Sequence, residues 1–305
     1  SLKNENTQWL AEHYYQLASK CHNDPVSPLA LKNESVKRSI CVFETLLPQG
    51  DPVIQEETEA VLLRLSSLLD WSNQQEKRVT LLTKFLSEST SKHTPIQKQL
   101  TLELAQTHAK LGNSLKALDL YNELIQNFPS SSIRALAILD RSRLLRSYLP
   151  DDQKNEGNDT YAQNLNDLKD LEVQRSLLSE PLHLEAGLEY INWKASAPGS
   201  EQSQTEKRIK LLKLFKENFA AEHSTERTES LDPKVSEKEE VLASYLKFAD
   251  VEILRLEASL LDQIDEASHL ERAALVKMQE LMEKSLPEPL KNRILICQKD
   301  MEPSL

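Results

Sequence analysis

Apolar residues recur at intervals of three and four along nearly the whole of this 305-residue chain. That spacing places them on one face of an α-helix, and proline or polar clusters divide the pattern into segments of helix length. The predicted helices cover approximately residues 6–20, 33–47, 53–70, 74–89, 95–111, 114–128, 131–147, 160–179, 182–195, 205–221, 236–265, 268–285 and 289–299. Because most of the intervening segments are short, we expect antiparallel helix hairpins packed in series.

The composition favours helices over strands. The chain has 53 leucines but only 23 valines and isoleucines, and β-branched residues lose side-chain freedom in helices and are enriched in strands. It also has only 5 glycines, and none of them completes the glycine-rich motif of a dinucleotide-binding fold, a P-loop or a hydrolase nucleophile elbow. The sequence therefore predicts an all-α fold and excludes these three classes of enzyme.

The segment between residues 98 and 129 carries the pattern of a helical repeat. A large and a small residue stand together on its first helix, glycine stands in the turn, small, aromatic and apolar residues follow on the second helix, and proline ends it. These positions are Leu104, Ala105, Gly112, Ala117, Tyr121, Leu124 and Pro129. The segment resembles the tetratricopeptide repeat (TPR), a helix–turn–helix unit of about 34 residues. The resemblance implies an α-solenoid, or superhelix, of stacked TPR-like hairpins.

A shift of 39 residues upstream repeats the pattern with one departure. Asn73 stands at the position of Gly112, but Arg78 stands where the repeat has the small Ala117. Small residues at such positions allow two helices to approach within about 8–10 Å. The arginine therefore leaves the packing of this upstream hairpin open.

Charge divides the chain into two parts. Residues 1–150 hold 17 basic and 16 acidic side chains, whereas residues 151–305 hold 20 and 32, so the net charge of −11 comes from the second part. We expect residues 1–150 to form a TPR-like repeat region and residues 151–305 to form an acidic helical region that either continues the solenoid or is a second helical domain. An acidic surface repels nucleic acid and anionic lipid, so neither is expected as a partner.

Residues that could carry out chemistry are scattered. No two of the seven histidines are separated by three or four residues, the spacing that brings two metal ligands together on a helix. Acidic clusters near residues 56–59 and 237–240 lie in predicted first turns, where the helix dipole favours negative charge. His183 and Glu185 are interpreted in the same way, as part of a helix start. We therefore expect no catalytic residue, no cofactor and no metal ion.

A basic run at residues 207–216 combines lysines with leucines. As a helix, it places Lys210 and Lys213 on a polar flank and Leu212 and Phe215 on an apolar one. We expect an ordinary amphipathic helix whose lysines pair with acidic groups of the same region. A surface for a partner protein and a membrane surface are the alternatives.

The location of the protein is left open by the sequence. Cys21, Cys41 and Cys297 are odd in number and form no C-x-x-C pair, which is typical of reduced thiols in the cytoplasm. No run of 18 apolar residues predicts a membrane-spanning helix, so direct membrane insertion is not expected. The first residue is Ser rather than Met, which indicates a fragment or a processed chain. An extracytoplasmic or membrane-anchored protein is therefore the alternative to a cytoplasmic one.

The resemblance implies that the chain binds another protein. In TPR proteins, one stripe of each first helix faces the ligand groove, and in this chain those positions fall on Gln99, Leu102, Gln106, Ala109 and Lys110. We expect a non-catalytic scaffold or adaptor that holds a peptide or a helix of a partner in this groove, chiefly through Gln106 and Lys110. The alternatives are a helical enzyme or metal-binding bundle in residues 151–305 with a TPR-like docking region, and an accessory subunit of a membrane-associated assembly.

Overall fold

In a computed structural model of the protein, all the regular structure in the described residues is helical. These residues are 2–24, 27–47, 56–88, 94–129, 131–155, 157–173, 180–225 and 233–301. The thirteen α-helices within them are α1 (Leu2–Asn23), α2 (Leu29–Leu46), α3 (Glu56–Trp71), α4 (Gln75–Glu88), α5 (Pro95–Lys110), α6 (Ser114–Asn127), α7 (Ser132–Tyr148), α8 (Asp159–Val173), α9 (Glu180–Ala195), α10 (Glu201–Thr225), α11 (Pro233–Ser259), α12 (Ile264–Met282) and α13 (Glu288–Met301). A 3-10 turn, Asp151–Gln153, lies between α7 and α8. The predicted all-α fold of helix hairpins is confirmed.

One predicted helix end is wrong. The periodic pattern carries the predicted helix through residue 265, but α11 ends at Ser259 and α12 begins at Ile264. The backbone N–H groups of Leu260 and Leu261 bond to carbonyls three residues earlier, at 3.1 and 3.2 Å. These tighter bonds end the helix without a glycine or a proline, so the sequence gives no signal of the break.

The described residues form two compact units, Ser1–Pro129 and Ser130–Leu305. The boundary between the units therefore lies earlier in the chain than residue 150, where the charge changes. The reason is that α7 packs against α8 and α9 and so belongs to the second unit.

In the first unit, each helix packs against the next, and the odd-numbered helices also pack against one another, α1 on α3 and α3 on α5. The even-numbered helices make no comparable contact with one another among the described residues. One apolar cluster, which includes Ile40 and Leu68, joins α1, α2 and α3. A second, which includes Leu82 and Leu100, joins α3, α4 and α5. The odd-numbered helices thus form a close-packed row, and the even-numbered helices spread apart behind it.

The second unit repeats this arrangement and then departs from it. Helix α7 packs on α9 and α9 packs on α11, but α13 packs on α12 and back on α9. Gly187, in the middle of α9, marks a close approach of α10, because a Cβ atom there would lie 2.8 Å from Cε2 of Phe215. A single apolar core joins α9 to α13 and includes Tyr245, Met278 and Ile294.

Candidate partner-binding face

The hairpin of α5 and α6 begins with a capping box. Thr94 Oγ1 accepts a hydrogen bond of 3.2 Å from the backbone N–H of Gln97, and Gln97 Oε1 accepts one of 3.3 Å from the backbone N–H of Thr94. Pro95 occupies the first helical position, where its missing N–H has no cost. These residues fix the start of α5 through local interactions alone.

Helices α5 and α3 end in the same left-handed turn. Gly112 has a φ of +75°, and Asn73, 39 positions upstream, has a φ of +56°. In α5, the N–H of Gly112 bonds to the carbonyl of Ala109 at 3.0 Å and that of Asn113 to His108 at 2.9 Å. The turn after α3 has the same two bonds with the same spacing, at 3.0 and 2.9 Å. Glycine and asparagine are the residues that tolerate this backbone conformation.

The small and apolar positions of the repeat pattern lie inside the hairpin. They are Leu104, Ala105, Ala117, Tyr121 and Leu124, and their exposed fractions range from 0 to 6%. Pro129 lies at the surface, two residues after α6 ends at Asn127. The buried alanines let α5 and α6 approach closely, and Tyr121 fills the space beside them.

The predicted partner-binding residues share one stripe of α5. Gln99, Leu102, Gln106 and Lys110 are separated by three or four positions, which places them on one side of the helix. Gln99, Gln106 and the neighbouring Ala109 are half-buried, and Lys110 is exposed. Leu102, by contrast, is only 1% exposed, so its assignment to the partner-binding face is corrected because it has no surface to offer.

An acidic residue of α3 lies beside the end of this stripe. Lys110 Nζ donates to Asp70 Oδ1 at 2.5 Å, and the same oxygen accepts from Arg78 Nη1 and Gln75 Nε2, both at 3.0 Å. Burial acts to raise the pKa of the Asp70 carboxyl, but the hydrogen bonds from Lys110 and Gln75 and the charge of Arg78 outweigh it, so this pKa lies below its ordinary value. Asp70 is therefore an ionised link between α3 and α5.

Arg78 is accommodated by polar partners on two other helices. Its Nη2 donates to Glu103 Oε2 at 3.0 Å and its Nε to Ser66 Oγ at 2.8 Å, and Ser66 in turn donates to Glu103. Removing one member of such a buried network leaves a charge without a partner, which is costly. The α3–α4 hairpin thus packs through ion pairs where the α5–α6 hairpin packs through alanines.

The first unit is built of helix hairpins packed in series. Two solved structures resemble the chain over most of its length. One is a protein with TPR-like repeats assigned as a kinesin light chain of Podosopora anserina; it is 13% identical, with 92% of this chain and 97% of that chain covered and a TM-score of 0.37. The other is a tetratricopeptide repeat protein from Parabacteroides merdae, 16% identical, with 95% and 98% covered and a TM-score of 0.39. No protein-family model and no curated protein matches the sequence.

In the second unit, the row of odd-numbered helices contains two buried carboxylates of α9. Glu185 accepts hydrogen bonds of 2.8 Å from Arg143 of α7 and from Arg293 of α13, and one of 3.0 Å from the Tyr245 hydroxyl of α11. Glu189 accepts a further bond from Arg293 at 3.3 Å. The interpretation of Glu185 as part of a helix start is therefore incomplete, because the arginines that surround it, rather than the helix dipole, balance its charge.

A third buried carboxylate holds α13 to α11. Glu252 pairs with Arg208 at 2.5 Å and with Arg255 at 3.3 Å, and it accepts a hydrogen bond of 3.1 Å from the Cys297 thiol. Burial, reinforced by the charge of Glu252, raises the pKa of Cys297 to about 12. Because the thiolate is the reactive form of cysteine, this thiol is unsuited to act as a nucleophile at neutral pH.

The basic run in α10 pairs with α11, as the sequence predicts. Lys213 Nζ lies 2.8 Å from Glu257 Oε1, and Lys216 pairs with Asp250. Phe215 is buried on the other flank of the helix. The prediction of an ordinary amphipathic helix is confirmed.

The described residues contain no group of three or more His, Cys, Asp or Glu side chains placed to hold a metal ion. His22 stacks on Trp71, with ring centroids 4.8 Å apart. The side chains of the acidic cluster at 56–59 lie outside the described residues, as do those at 237 and 238. Within the described part of the chain, no helix is long and apolar enough to cross a membrane.

Proposed function

We propose that the chain is a non-catalytic scaffold that binds an extended segment of another protein along the odd-numbered helices of its first unit. The observation that carries this proposal is the polar stripe of Gln99, Gln106 and Lys110 on α5, next to Asp70 of α3. The stripe lies on a close-packed row, and rigid elements position binding groups more accurately than loops do.

The chemistry of the stripe suits a peptide backbone with an acidic side chain. A glutamine amide both donates and accepts hydrogen bonds, so Gln99 and Gln106 match the N–H and C=O groups of an extended chain. A carboxylate of the partner can take the place of Asp70 on Lys110, while Asp70 keeps its bonds to Arg78 and Gln75. Exchange of one ion pair for another avoids leaving a charge unpaired.

The corresponding row of the second unit is already covered by the chain itself. Helix α13 lies on α9, and Arg293 ties it to Glu185 and Glu189. We therefore place the partner on the first unit.

The test is the double variant Gln106→Ala/Lys110→Ala. Proteins captured from cells of the source organism by the unmodified chain would be identified, and the affinity of the leading one would be measured for both forms. We expect the variant to bind about tenfold more weakly, a loss of about 1.4 kcal/mol, with unchanged helical circular dichroism.

A matched change on the second unit is the control. Gln279 and Lys284 are exposed on and just after α12, and Gln279→Ala/Lys284→Ala should leave the affinity unchanged. Equal affinity of the unmodified chain and the Gln106→Ala/Lys110→Ala variant would contradict the assignment of the stripe.

A further inference from the structure

The spread of the even-numbered helices in the first unit opens a groove between α2 and α4, which we name the α2/α4 groove. It has a volume of about 640 Å³ and is lined on α2 by residues on every turn from Leu29 to Glu44, and by Trp71 and Lys77 on the other side. The α2 wall is about 22 Å long at a rise of about 1.5 Å per residue. This length fits four turns of a helix laid along α2 better than a compact small molecule.

The base of the α2/α4 groove is apolar and buried, and the accessible apolar side chains lie around it. Val36 and Ile40 line its base one turn apart but belong to the core, with only 4% and 5% of their surface exposed. Leu29 lies at the end of the groove with 71% of its surface exposed, and Trp71 is half-buried. Accessible apolar side chains such as Leu29 and Trp71 are what the apolar stripe of an amphipathic helix packs against.

The walls of the groove carry positive charge. Lys32, Lys37 and Lys77 line it together with a single acidic residue, Glu44, which gives a net charge of +2 in a chain whose net charge is −11. Lys77 pairs with Glu44, whereas Lys32 and Lys37 have no ion pair within the described part of the chain. Two unpaired cations beside an apolar floor complement carboxylates that flank an apolar stripe.

We propose that the α2/α4 groove binds an amphipathic helix of a partner protein whose apolar stripe is flanked by acidic side chains. The apolar stripe packs on Leu29 and on the accessible part of Trp71, above the buried Val36 and Ile40, and the carboxylates pair with Lys32 and Lys37. This surface is formed by α2, by Lys77 of α4 and by the ends of α1 and α3, and it shares no residue with the stripe on α5. The first unit then has two separate faces and can join two proteins.

Cys41 provides a local reporter of binding. This cysteine lines the α2/α4 groove and is exposed, whereas Cys21 and Cys297 are buried. The probes are two synthetic helical peptides of about 16 residues, the length of the α2 wall, with the same leucine stripe and either glutamate or lysine flanks. Alkylation of Cys41 by iodoacetamide would be followed by mass spectrometry at increasing peptide concentration.

We expect the glutamate peptide to slow alkylation of Cys41 about tenfold when its concentration is about ten times its Kd, and the lysine peptide to have no effect. Lys32→Glu/Lys37→Glu should abolish the protection, and Lys32→Gln/Lys37→Gln should weaken it. Lys84→Glu/Lys116→Glu makes the same charge change in the neighbouring groove between α4 and α6, so it should retain the protection.

Several results would overturn the proposal. Equal protection by both peptides would show an apolar surface without charge selectivity. Protection that survives Lys32→Glu/Lys37→Glu, or no protection by either peptide, would remove the groove as an acidic-helix site. If raising the concentration of the chain alone protects Cys41, the occupant of the groove is a second copy of the chain.

Discussion

Arg78 occupies, in the α3–α4 hairpin, the position that Ala117 occupies in the α5–α6 hairpin, and both side chains are buried. The two positions differ in their neighbours. Ser66 and Asp70 accept hydrogen bonds from the guanidinium of Arg78, whereas the residues 39 positions later are Ala105 and Ala109. The same place in the repeat is therefore polar in one hairpin and apolar in the next.

Ala117→Arg should destabilise the first unit strongly. The new guanidinium would enter a closely packed helix contact in which the neighbouring alanines offer no acceptor. We expect a loss of about 3 kcal/mol or more in the free energy of unfolding, measured by urea unfolding. Lys116→Arg places the same side chain at an exposed position one residue earlier and should change little. An unfolding midpoint of Ala117→Arg equal to that of the unmodified chain would show that Ala117 is not a packing position.

Arg78→Ala should also destabilise the protein, for the opposite reason. It removes the cation that Glu103 and Asp70 share and leaves both carboxylates with fewer partners. Breaking a buried pair in this way costs about 3–5 kcal/mol. Lys77→Ala, at the exposed neighbouring position, should cost less than about 0.5 kcal/mol. In a double-mutant cycle, adding Glu103→Ala to the Arg78→Ala variant should lower the free energy of unfolding less than Glu103→Ala does in the unmodified chain. Strictly additive losses of free energy would count against the network.

The sequence predicts the parts of this fold that depend on local interactions. The apolar period identifies the helices, Thr94 and Pro95 start α5, and Gly112 ends it. The networks around Arg78 and Glu185 are different, because each needs acceptors or donors from other helices. Glu103 is 25 positions from Arg78, and Arg293 is 108 positions from Glu185. A single sequence gives no measure of which distant charges meet, so buried carboxylates look like surface ones.

Gly187→Ala should lower the stability of the second unit. The added methyl group would lie 2.8 Å from a ring carbon of Phe215, and that ring is buried and cannot move aside freely. We expect a loss of about 1–3 kcal/mol, as for other overpacked cores, measured as a lower thermal midpoint. Gly199→Ala, where the nearest atom is 3.9 Å away, is the control. Adding Phe215→Leu to the Gly187→Ala variant should lower its stability less than the same change lowers the stability of the unmodified chain. Equal losses of stability would show that residues 187 and 215 do not touch.

Glu252→Gln should weaken the dependence of stability on pH in the acidic range. Burial acts to raise the pKa of the Glu252 carboxyl, but the charges of Arg208 and Arg255 outweigh it, so the pKa in the folded chain lies below its ordinary value of 4.5. The unfolded chain therefore binds a proton at Glu252 more tightly than the folded chain does. The carboxylate stabilises the fold above pH 4.5, and this contribution is lost as the pH falls through the folded pKa.

Urea unfolding of both proteins at a series of pH values checks this expectation. Glu252→Gln should be less stable at neutral pH, and the difference from the unmodified chain should narrow in acid. Glu239→Gln, at an exposed position of α11, is the control and should give a constant difference. A gap between Glu252→Gln and the unmodified chain that stays constant into acid would contradict the lowered pKa.

The return of α13 onto α9 gives the two units different modes of unfolding. Among the described residues of the first unit, the main helix contacts join helices one or two places apart in the chain, so hairpins can open one after another as in a linear array. In the second unit, the bond between Arg293 and Glu185 closes a loop of 108 positions, and the helices between them are held until that closure is lost. We therefore expect the hairpins of the first unit to open one at a time, and the helices of the second unit from α9 to α13 to open together.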